Sequence, residues 1–343
     1  MVDTDGDDAM TVRVGLNGFG RTGRALLRAV VDRDLPIDLV AINDLAGADE
    51  LARLLARDSV HGSFSGVESG ADKLVVRGRE ILVLHEPDPK GLPWTELGIQ
   101  VAVEASGRFT NAQKASAHLE AGAGWVVVSA PSKGADATFV IGVNDHLFDP
   151  ERHRVVSNAS CTTNCLVPMV SVLDAAFGIE NGLMTTTHAY TGDQRLVDGL
   201  HSDPRRARAA ALNIVPTSTG AARATALVME TMEGRLDGAA LRVPVADGSI
   251  TDLVVLLRDE VTAETVNEVF WRAARDLGGV LEYSEEPLVS ADIVGRTASC
   301  VFDSGMTMAC GRLVKVFGWY DNEVGYANRL AELTVKVGSA HDS

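Results

Sequence analysis

In the stretch Ser157-Asn158-Ala159-Ser160-Cys161-Thr162-Thr163-Asn164-Cys165, a cysteine stands where a strand-like run gives way to a helical one, with hydroxyls on both sides. A histidine follows in the polar segment Thr186-Thr187-His188-Ala189-Tyr190-Thr191. The thiolate is the reactive form of cysteine, and a helix N-terminus and a nearby imidazole both favour it. The pattern therefore predicts covalent thiol chemistry at Cys161. Asn158, Ser160, Thr162, Thr163 and Asn164 surround that cysteine with more polar groups than a core would carry. Pro168 suits only an early helical position or a kink, which predicts a helix beginning just after Cys161. Cys165, one turn on, and Cys300 and Cys310 read as packing residues. His188 reads equally well as a partner of Cys161 or as a satisfied core histidine.

A second chemical signature lies near the N-terminus, where Gly18, Gly20 and Gly23 form G-x-G-x-x-G within Gly15-Leu16-Asn17-Gly18-Phe19-Gly20-Arg21-Thr22-Gly23. The motif follows a strand-like run, opens a helical one, and is followed by the acid Asp44 at the end of the next apolar strand. In that context it predicts a dinucleotide fingerprint. The glycines let backbone approach the pyrophosphate, whose charge meets free N–H groups at the helix start. Asp44 would bind ribose hydroxyls and repel a 2′-phosphate, favouring NAD over NADP.

These residues need elements to hold them. Residues 11–17, 37–44, 99–105, 125–129 and 137–143 read as strands, and residues 20–32, 49–57 and 111–121 as helices. Their alternation predicts a parallel sheet covered by helices on both faces. From about Cys161 the rhythm changes. A helix over 163–177 leads into strand-like runs at 182–191, 239–244, 251–260 and 313–320, interrupted by a helix at 262–277. That pattern predicts an α+β domain on a mainly antiparallel sheet, with a C-terminal helix over 322–337 packing back on the first domain. The expected division is an acidic, disordered extension over 1–10, a nucleotide domain over 11–160 and a catalytic domain over 161–321.

The chain has 343 residues, 46% of them hydrophobic, and carries a formal charge of −16 with an isoelectric point near 4.9. Such acidity argues against nucleic acid or an anionic membrane as partner, so an anionic substrate needs local arginines. No apolar run reaches spanning length and the acidic start resembles neither a secretion signal nor a transit peptide, which predicts a cytoplasmic protein. Four cysteines without a signal segment do not suggest disulfides, and Cys161 and Cys165 lack a second ligand pair for zinc.

The segments GLNGFGRTGR, SNASCTTNC, THAYTGDQ, RRARAAALNIVPTSTGAA, ALRVPV and WYDNEVGY, in this order, resemble the bacterial-type, NAD-dependent, phosphorylating glyceraldehyde-3-phosphate dehydrogenase family. The resemblance runs from about residue 11 to 337. It implies a Rossmann NAD-binding domain, an α+β catalytic domain, a homotetramer, and an S-shaped loop at about 190–217 lying against a neighbouring subunit. It implies glycolytic or gluconeogenic oxidation of a phosphorylated aldehyde with NAD and inorganic phosphate. Cys161 is then the nucleophile and His188 its base. Thr191 and Arg242 would hold the substrate phosphate, and Ser160, Thr162, Thr219, Gly220 and Arg206 the attacking phosphate. Phe19, Arg21 and Thr22 belong to the pyrophosphate loop, Ser129 lies on the nicotinamide side, and Asn322 takes the carboxamide. Arg205 and Arg208 read better as a solvated or interface cluster.

Three departures bear on the cofactor and the termini. Pro87 stands where many NAD-using members have an arginine near the adenine. Gly199-Leu200 replaces the proline-containing pair before His201, which weakens the exclusion of NADP although Leu45 and Leu200 offer nothing to a 2′-phosphate. The acidic extension has no counterpart. Two rivals remain: erythrose-4-phosphate dehydrogenase, whose substrate is one carbon longer, and a non-catalytic binding or regulatory paralogue.

Overall fold

The computed structural model describes residues 11–342, so the expected disorder of the acidic extension lies outside the described residues. Two sheets organise the rest. The first has the strand order 137–138, 155–157, 125–128, 101–104, 12–17, 37–43, 79–84, 73–76 and 67–69. Its strands run parallel from one edge as far as Arg79–Leu84, and the last two pair antiparallel. The central strands read as unbroken apolar runs because helices or loops cover both faces: Val101–Glu104 and Trp125–Val128 are buried at every position. The helices Arg21–Asp32 and Val324–Gly338 pack together on this sheet, with Leu26, Leu27, Leu330 and Val337 in one apolar cluster. The chain's last helix thus completes the first domain's core.

The strand Val12–Asn17 lies between Ile37–Asn43 and Val101–Glu104, so the strand order reverses there and the carboxyl ends diverge into a crevice. A chain of buried hydrogen bonds floors it. Trp94 Nε1 donates to His118 Nδ1 (3.0 Å), and His118 Nε2 faces Glu104 Oε2 (3.0 Å). Asn17 Nδ2 donates to the same oxygen (2.6 Å), Asn43 Nδ2 to Asn17 Oδ1 (2.7 Å), and the Glu86 N–H to Asn43 Oδ1 (2.8 Å). Polar groups buried across four strand ends are therefore paired with one another.

The second sheet has the order 215–218, 236–243, 179–189, 249–257, 313–320, 300–303 and 281–284, with Met308–Cys310 as a side strand on Leu313–Tyr320. Most pairs are antiparallel; Ile179–Ala189 with Leu236–Val243, and Leu281–Ser284 with Cys300–Asp303, run parallel. The helices Cys161–Phe177 and Ala263–Asp276 share its core, where Phe270 stacks on Phe302 at a centroid distance of 3.8 Å.

Several sequence expectations need correction. The helix expected over 111–121 is two short ones, Ala112–Ala115 and Ala117–Glu120, because the Ser116 hydroxyl donates back to the Gln113 carbonyl (2.9 Å) at the break. The strand expected over 137–143 stops at Thr138. There the Asn144 side chain takes over the backbone groups, accepting from the Val140 N–H and donating to the Thr138 carbonyl. The nucleophile helix starts at Cys161 itself, with Pro168 well inside it.

Candidate active site

The Cys161 segment is a strand, a tight turn and a helix. After the strand Val155–Ser157 the chain turns through Ala159, which takes a left-handed backbone (φ 56°) while fully buried. The hydroxyl of Tyr326 donates to the Ala159 carbonyl (3.1 Å) and holds that turn. Ser160 then caps the helix, its Oγ accepting the Thr163 N–H (3.1 Å). Cys161 is consequently the first helical residue, where backbone N–H groups lack intrahelical acceptors.

His188 comes from the strand Ile179–Ala189, and its Nε2 lies 3.5 Å from Cys161 Sγ. Its Nδ1 is 2.7 Å from the Ala189 carbonyl, an acceptor only, and 3.2 Å from Arg242 Nη1, a donor only; the shorter contact favours the ring proton on Nδ1, with the Nε2 lone pair facing the sulfur. Tyr320 meets the imidazole edge-on, and its hydroxyl bridges Thr162 Oγ1 (2.9 Å) and Thr186 Oγ1 (2.8 Å). The structure thus brings His188 and Cys161 together.

Electrostatics revise the thiolate expectation. Burial pushes the Cys161 thiol up to about 11, against the pull of Arg242 and of hydrogen bonds from Thr162. Burial and the Arg242 charge push the His188 imidazole down to about 4. Each charge is unfavourable alone, so helix position does not suffice to hold a thiolate. Proton transfer from Sγ to Nε2 creates both charges together, 3.5 Å apart, where their attraction offsets part of the burial cost of each.

Two arginines belong to the surroundings of this pair. Arg242, at the end of the strand Leu236–Val243, donates to Thr191 Oγ1 (2.9 Å) and the Ala189 carbonyl (3.1 Å). Arg206 donates through Nε to Thr217 Oγ1 (3.0 Å) and pairs through Nη1 with Asp193. Asp193 also accepts the Thr191 hydroxyl, so it links the two groups. Nothing about its spacing marked it out, although it lies inside the THAYTGDQ segment. Thr219 Oγ1 accepts the Ala221 N–H (3.2 Å), and Gly220 caps the helix Ala221–Val228. Thr162 and Ser160 already have protein partners for their hydroxyls. Arg205 is exposed, and Arg208 makes an exposed pair with Asp198 (2.9 Å).

The crevice on the parallel sheet is a cleft of about 260 Å³ lined by Asn17, Gly18, Asn43, Asp44, Pro87 and Ser106 among others. Gly18 has φ 95°, and a Cβ there would sit 2.5 Å from the Ser106 backbone; a Cβ at Gly23 would sit 2.3 Å from the Gly18 carbonyl oxygen. Only glycine permits that packing of loop, helix and neighbouring strand. The helix Arg21–Asp32 has Gly20 as its N-cap with no capping side chain, so N–H groups of its first turn suit a pyrophosphate. Asp44 Oδ2 accepts the Phe19 N–H (2.7 Å), which ties the acid to the loop. The Arg21 guanidinium is taken up by ion pairs to Asp58 and Glu323, leaving its role at the helix start to the backbone. Ser129 follows the strand Trp125–Val128, its N–H donating to the Glu104 carbonyl (2.9 Å). Asn322 ends the strand Leu313–Tyr320 region; its Oδ1 accepts from Ser249 Oγ (2.7 Å), and Ser249 in turn accepts the Ala189 N–H (3.0 Å). Its Nδ2 is then the donor end.

A dinucleotide crevice beside a cysteine–histidine pair, with arginines on the adjoining sheet, defines the class of two-domain thiol dehydrogenases. Residues 12–112 match the glyceraldehyde 3-phosphate dehydrogenase NAD binding domain, and residues 160–322 the C-terminal domain of the same family. The chain is 53% identical over 334 residues to a glyceraldehyde-3-phosphate dehydrogenase of Streptomyces coelicolor, covering 96% of this chain and 99% of the relative. It is 51% identical to that of Geobacillus stearothermophilus, with 96% and 99% covered, and 52% identical to glyceraldehyde-3-phosphate dehydrogenase 2 of Bacillus subtilis, with 96% and 98% covered. The chain belongs to the glyceraldehyde-3-phosphate dehydrogenase family, and its cofactor is NAD. Among the described residues no helix is long and apolar enough to cross a membrane.

Proposed function

We propose that the protein carries out the phosphorylating oxidation of glyceraldehyde 3-phosphate to 1,3-bisphosphoglycerate. The observation that carries this is the 3.5 Å contact between Cys161 Sγ and His188 Nε2, flanked by arginines bound to small hydroxyls. Cys161 attacks the aldehyde carbon as its proton passes through His188 Nε2 to the carbonyl oxygen, giving a thiohemiacetal. The Cys161 N–H and the His188 imidazole stabilise the developing oxyanion. His188 then removes the hydroxyl proton as the C–H bond of the same carbon breaks and its hydride departs, and a thioester remains on Cys161. NAD supplies the hydride acceptor, the nicotinamide ring. Inorganic phosphate attacks the thioester carbon; the C–S bond breaks, the acyl phosphate leaves, and the sulfur is restored.

Thr191 and Arg242 hold the substrate phosphate, and Arg206, Thr219, Gly220, Ser160 and Thr162 the attacking one. A guanidinium fork on phosphate oxygens suits both positions. Gly18, Phe19, Gly20, Arg21, Thr22 and Gly23 meet the pyrophosphate, Asp44 the ribose, and Ser129 and Asn322 the nicotinamide end. The protein works in the cytoplasm as a homotetramer. Leu196, Val197, Leu200, Leu212 and Ile214 support assembly: they project from the 190–217 loop, with Leu200 95% and Leu212 83% exposed.

The test is NADH formation from glyceraldehyde 3-phosphate with and without inorganic phosphate, with NADP and erythrose 4-phosphate in parallel. Phosphate-dependent turnover with NAD and glyceraldehyde 3-phosphate is expected. Preference for erythrose 4-phosphate, or NAD binding without turnover, overturns the assignment.

A further inference from the structure

Behind Asn322 lies a buried charge cluster that the reaction itself does not use. Asn322 sits in the turn Asp321-Asn322-Glu323, between the strand Leu313–Tyr320 and the helix Val324–Gly338. Asp321 pins this turn, its Oδ1 accepting the Glu323 and Val324 N–H groups (2.8 and 2.6 Å) and its Oδ2 the Gly295 N–H (2.7 Å). Asp247 Oδ1 accepts the backbone N–H of Asn322 itself (3.2 Å). Both carboxylates belong to the second sheet's loops.

The group that ties them together comes from the other domain. His61, in the loop after the helix Ala48–Ala56, places Nε2 2.9 Å from Glu323 Oε2 and 3.3 Å from Asp247 Oδ2. The loop is itself fixed: Asp58 Oδ1 accepts the N–H groups of Val60 and His61 (2.8 and 2.9 Å), and the Arg28 guanidinium approaches the His61 carbonyl (3.4 Å). Arg21, at the start of the pyrophosphate helix, spans Asp58 and Glu323.

Burial opposes a charge on His61, but hydrogen bonds to Asp247 and Glu323 outweigh it and raise the imidazole to about 10. The facing groups are therefore three carboxylates, Asp247, Asp321 and Glu323, with Arg21 and Asp58 outside them. Burial and the Asp247 charge push Asp321 up to about 7. Asp247 Oδ2 is buried with no hydrogen-bond partner and faces only the His61 charge at 3.3 Å, so removing the imidazolium leaves it unpaired. A buried charge in that state makes its surroundings rearrange.

We propose that His61 is a positioning residue for NAD: by bridging Asp247 and Glu323 it fixes the turn that aims the Asn322 amide at the nicotinamide carboxamide. The inference rests on the reading of Asn322 given above. It makes the crevice domain set the orientation of a group contributed by the turn after the catalytic domain's last strand.

The experiment compares NAD with ADP-ribose, which keeps the adenosine and pyrophosphate but lacks the nicotinamide. Calorimetric titrations on the full-length wild type, His61→Gln, Asp247→Asn and Asn322→Ala give both dissociation constants. His61→Gln is expected to weaken NAD about tenfold, the size of one well-placed hydrogen bond, and to leave ADP-ribose within about twofold. Asp247→Asn keeps an oxygen for the Asn322 N–H but loses the charge partner of His61. It is expected to show the same selective loss, and it decides the matter if His61→Gln does not fold. Equal losses for both ligands make His61 a structural tie only and overturn the proposal, as does no loss for either. If Asn322→Ala leaves the NAD to ADP-ribose ratio unchanged, the reading of Asn322 falls and the inference with it. If that ratio changes in Asn322→Ala but not in His61→Gln or Asp247→Asn, the inference alone falls.

Discussion

His188 directs Nε2 at the sulfur of Cys161 from 3.5 Å because its other ring nitrogen is held by the carbonyl of Ala189 at 2.7 Å. One backbone hydrogen bond therefore favours the tautomer whose lone pair faces the thiol. Burial lifts the isolated thiol to about 11, so the sulfur depends on this neighbour to lose its proton near neutrality. Iodoacetamide is expected to label Cys161 faster than the exposed Cys310 at pH 7, and much faster than the buried Cys165 and Cys300. His188→Asn should slow the Cys161 reaction about tenfold or more. Peptide mapping by mass spectrometry measures both; equal labelling of Cys161 and Cys310, or no effect of the variant, would contradict the pairing.

Arg242 and Arg206 hold different hydroxyls, Thr191 and Thr217, and should therefore act on different reactants. Arg242→Ala is expected to raise KM for glyceraldehyde 3-phosphate by roughly 10- to 100-fold, the loss of charge-assisted hydrogen bonds. Arg206→Ala is expected to raise KM chiefly for inorganic phosphate. Initial rates with each reactant varied in turn would separate them, and a common effect on both constants would merge the two subsites. Asp193, bonded to both groups, should couple them: Asp193→Asn is expected to shift both constants.

Asp44 stands at the mouth of the crevice with one oxygen already committed to the Phe19 N–H. Asp44→Ala is expected to weaken NAD and to narrow the NAD over NADP ratio of kcat/KM, since a fixed negative charge near the ribose is removed. An unchanged ratio would place cofactor choice elsewhere, for example at Leu200 in the 190–217 loop.

The bridge at His61 also makes stability depend on pH. Its imidazole is raised from an ordinary 6.5 to about 10, so its contribution is fully present below pH 6.5 and is lost as pH rises toward 10. The full span corresponds to on the order of 5 kcal/mol. Asp321, raised to about 7 from the usual carboxylate range, acts in the same sense at lower pH, its contribution fading as pH rises through 7. Calorimetry from pH 6 to 10 is expected to show a falling Tm, and His61→Gln should flatten the fall. A variant with the wild-type slope would show that His61 is not charged in the folded protein.

Much of the crevice was legible in the residue order because its requirements are local. Gly18 and Gly23 meet backbone within a few residues or one strand away, and Asp44 follows from the next strand's end. The helix capped by Ser160 is equally local. Where local signals competed with side-chain hydrogen bonds the reading failed, as at Ser116 and Asn144. The hairpin strands Val67–Ser69, Lys73–Val76 and Arg79–Leu84 gave no alternation strong enough to be noticed beside the parallel core.

The sequence by itself determined which chemistry the chain carries: a cysteine at a helix start, a glycine loop for a dinucleotide, arginines in an acidic protein. Those properties depend on residue type and on neighbours within a turn or a strand. Only the tertiary structure decided that His188 faces Cys161, that Asp193 joins the two arginine groups, and that His61 reaches Asp247 and Glu323 across the domain boundary. The contacts of His188 and His61 span tens to hundreds of residues, and burial sets their protonation. Spacing along the chain does not encode either quantity.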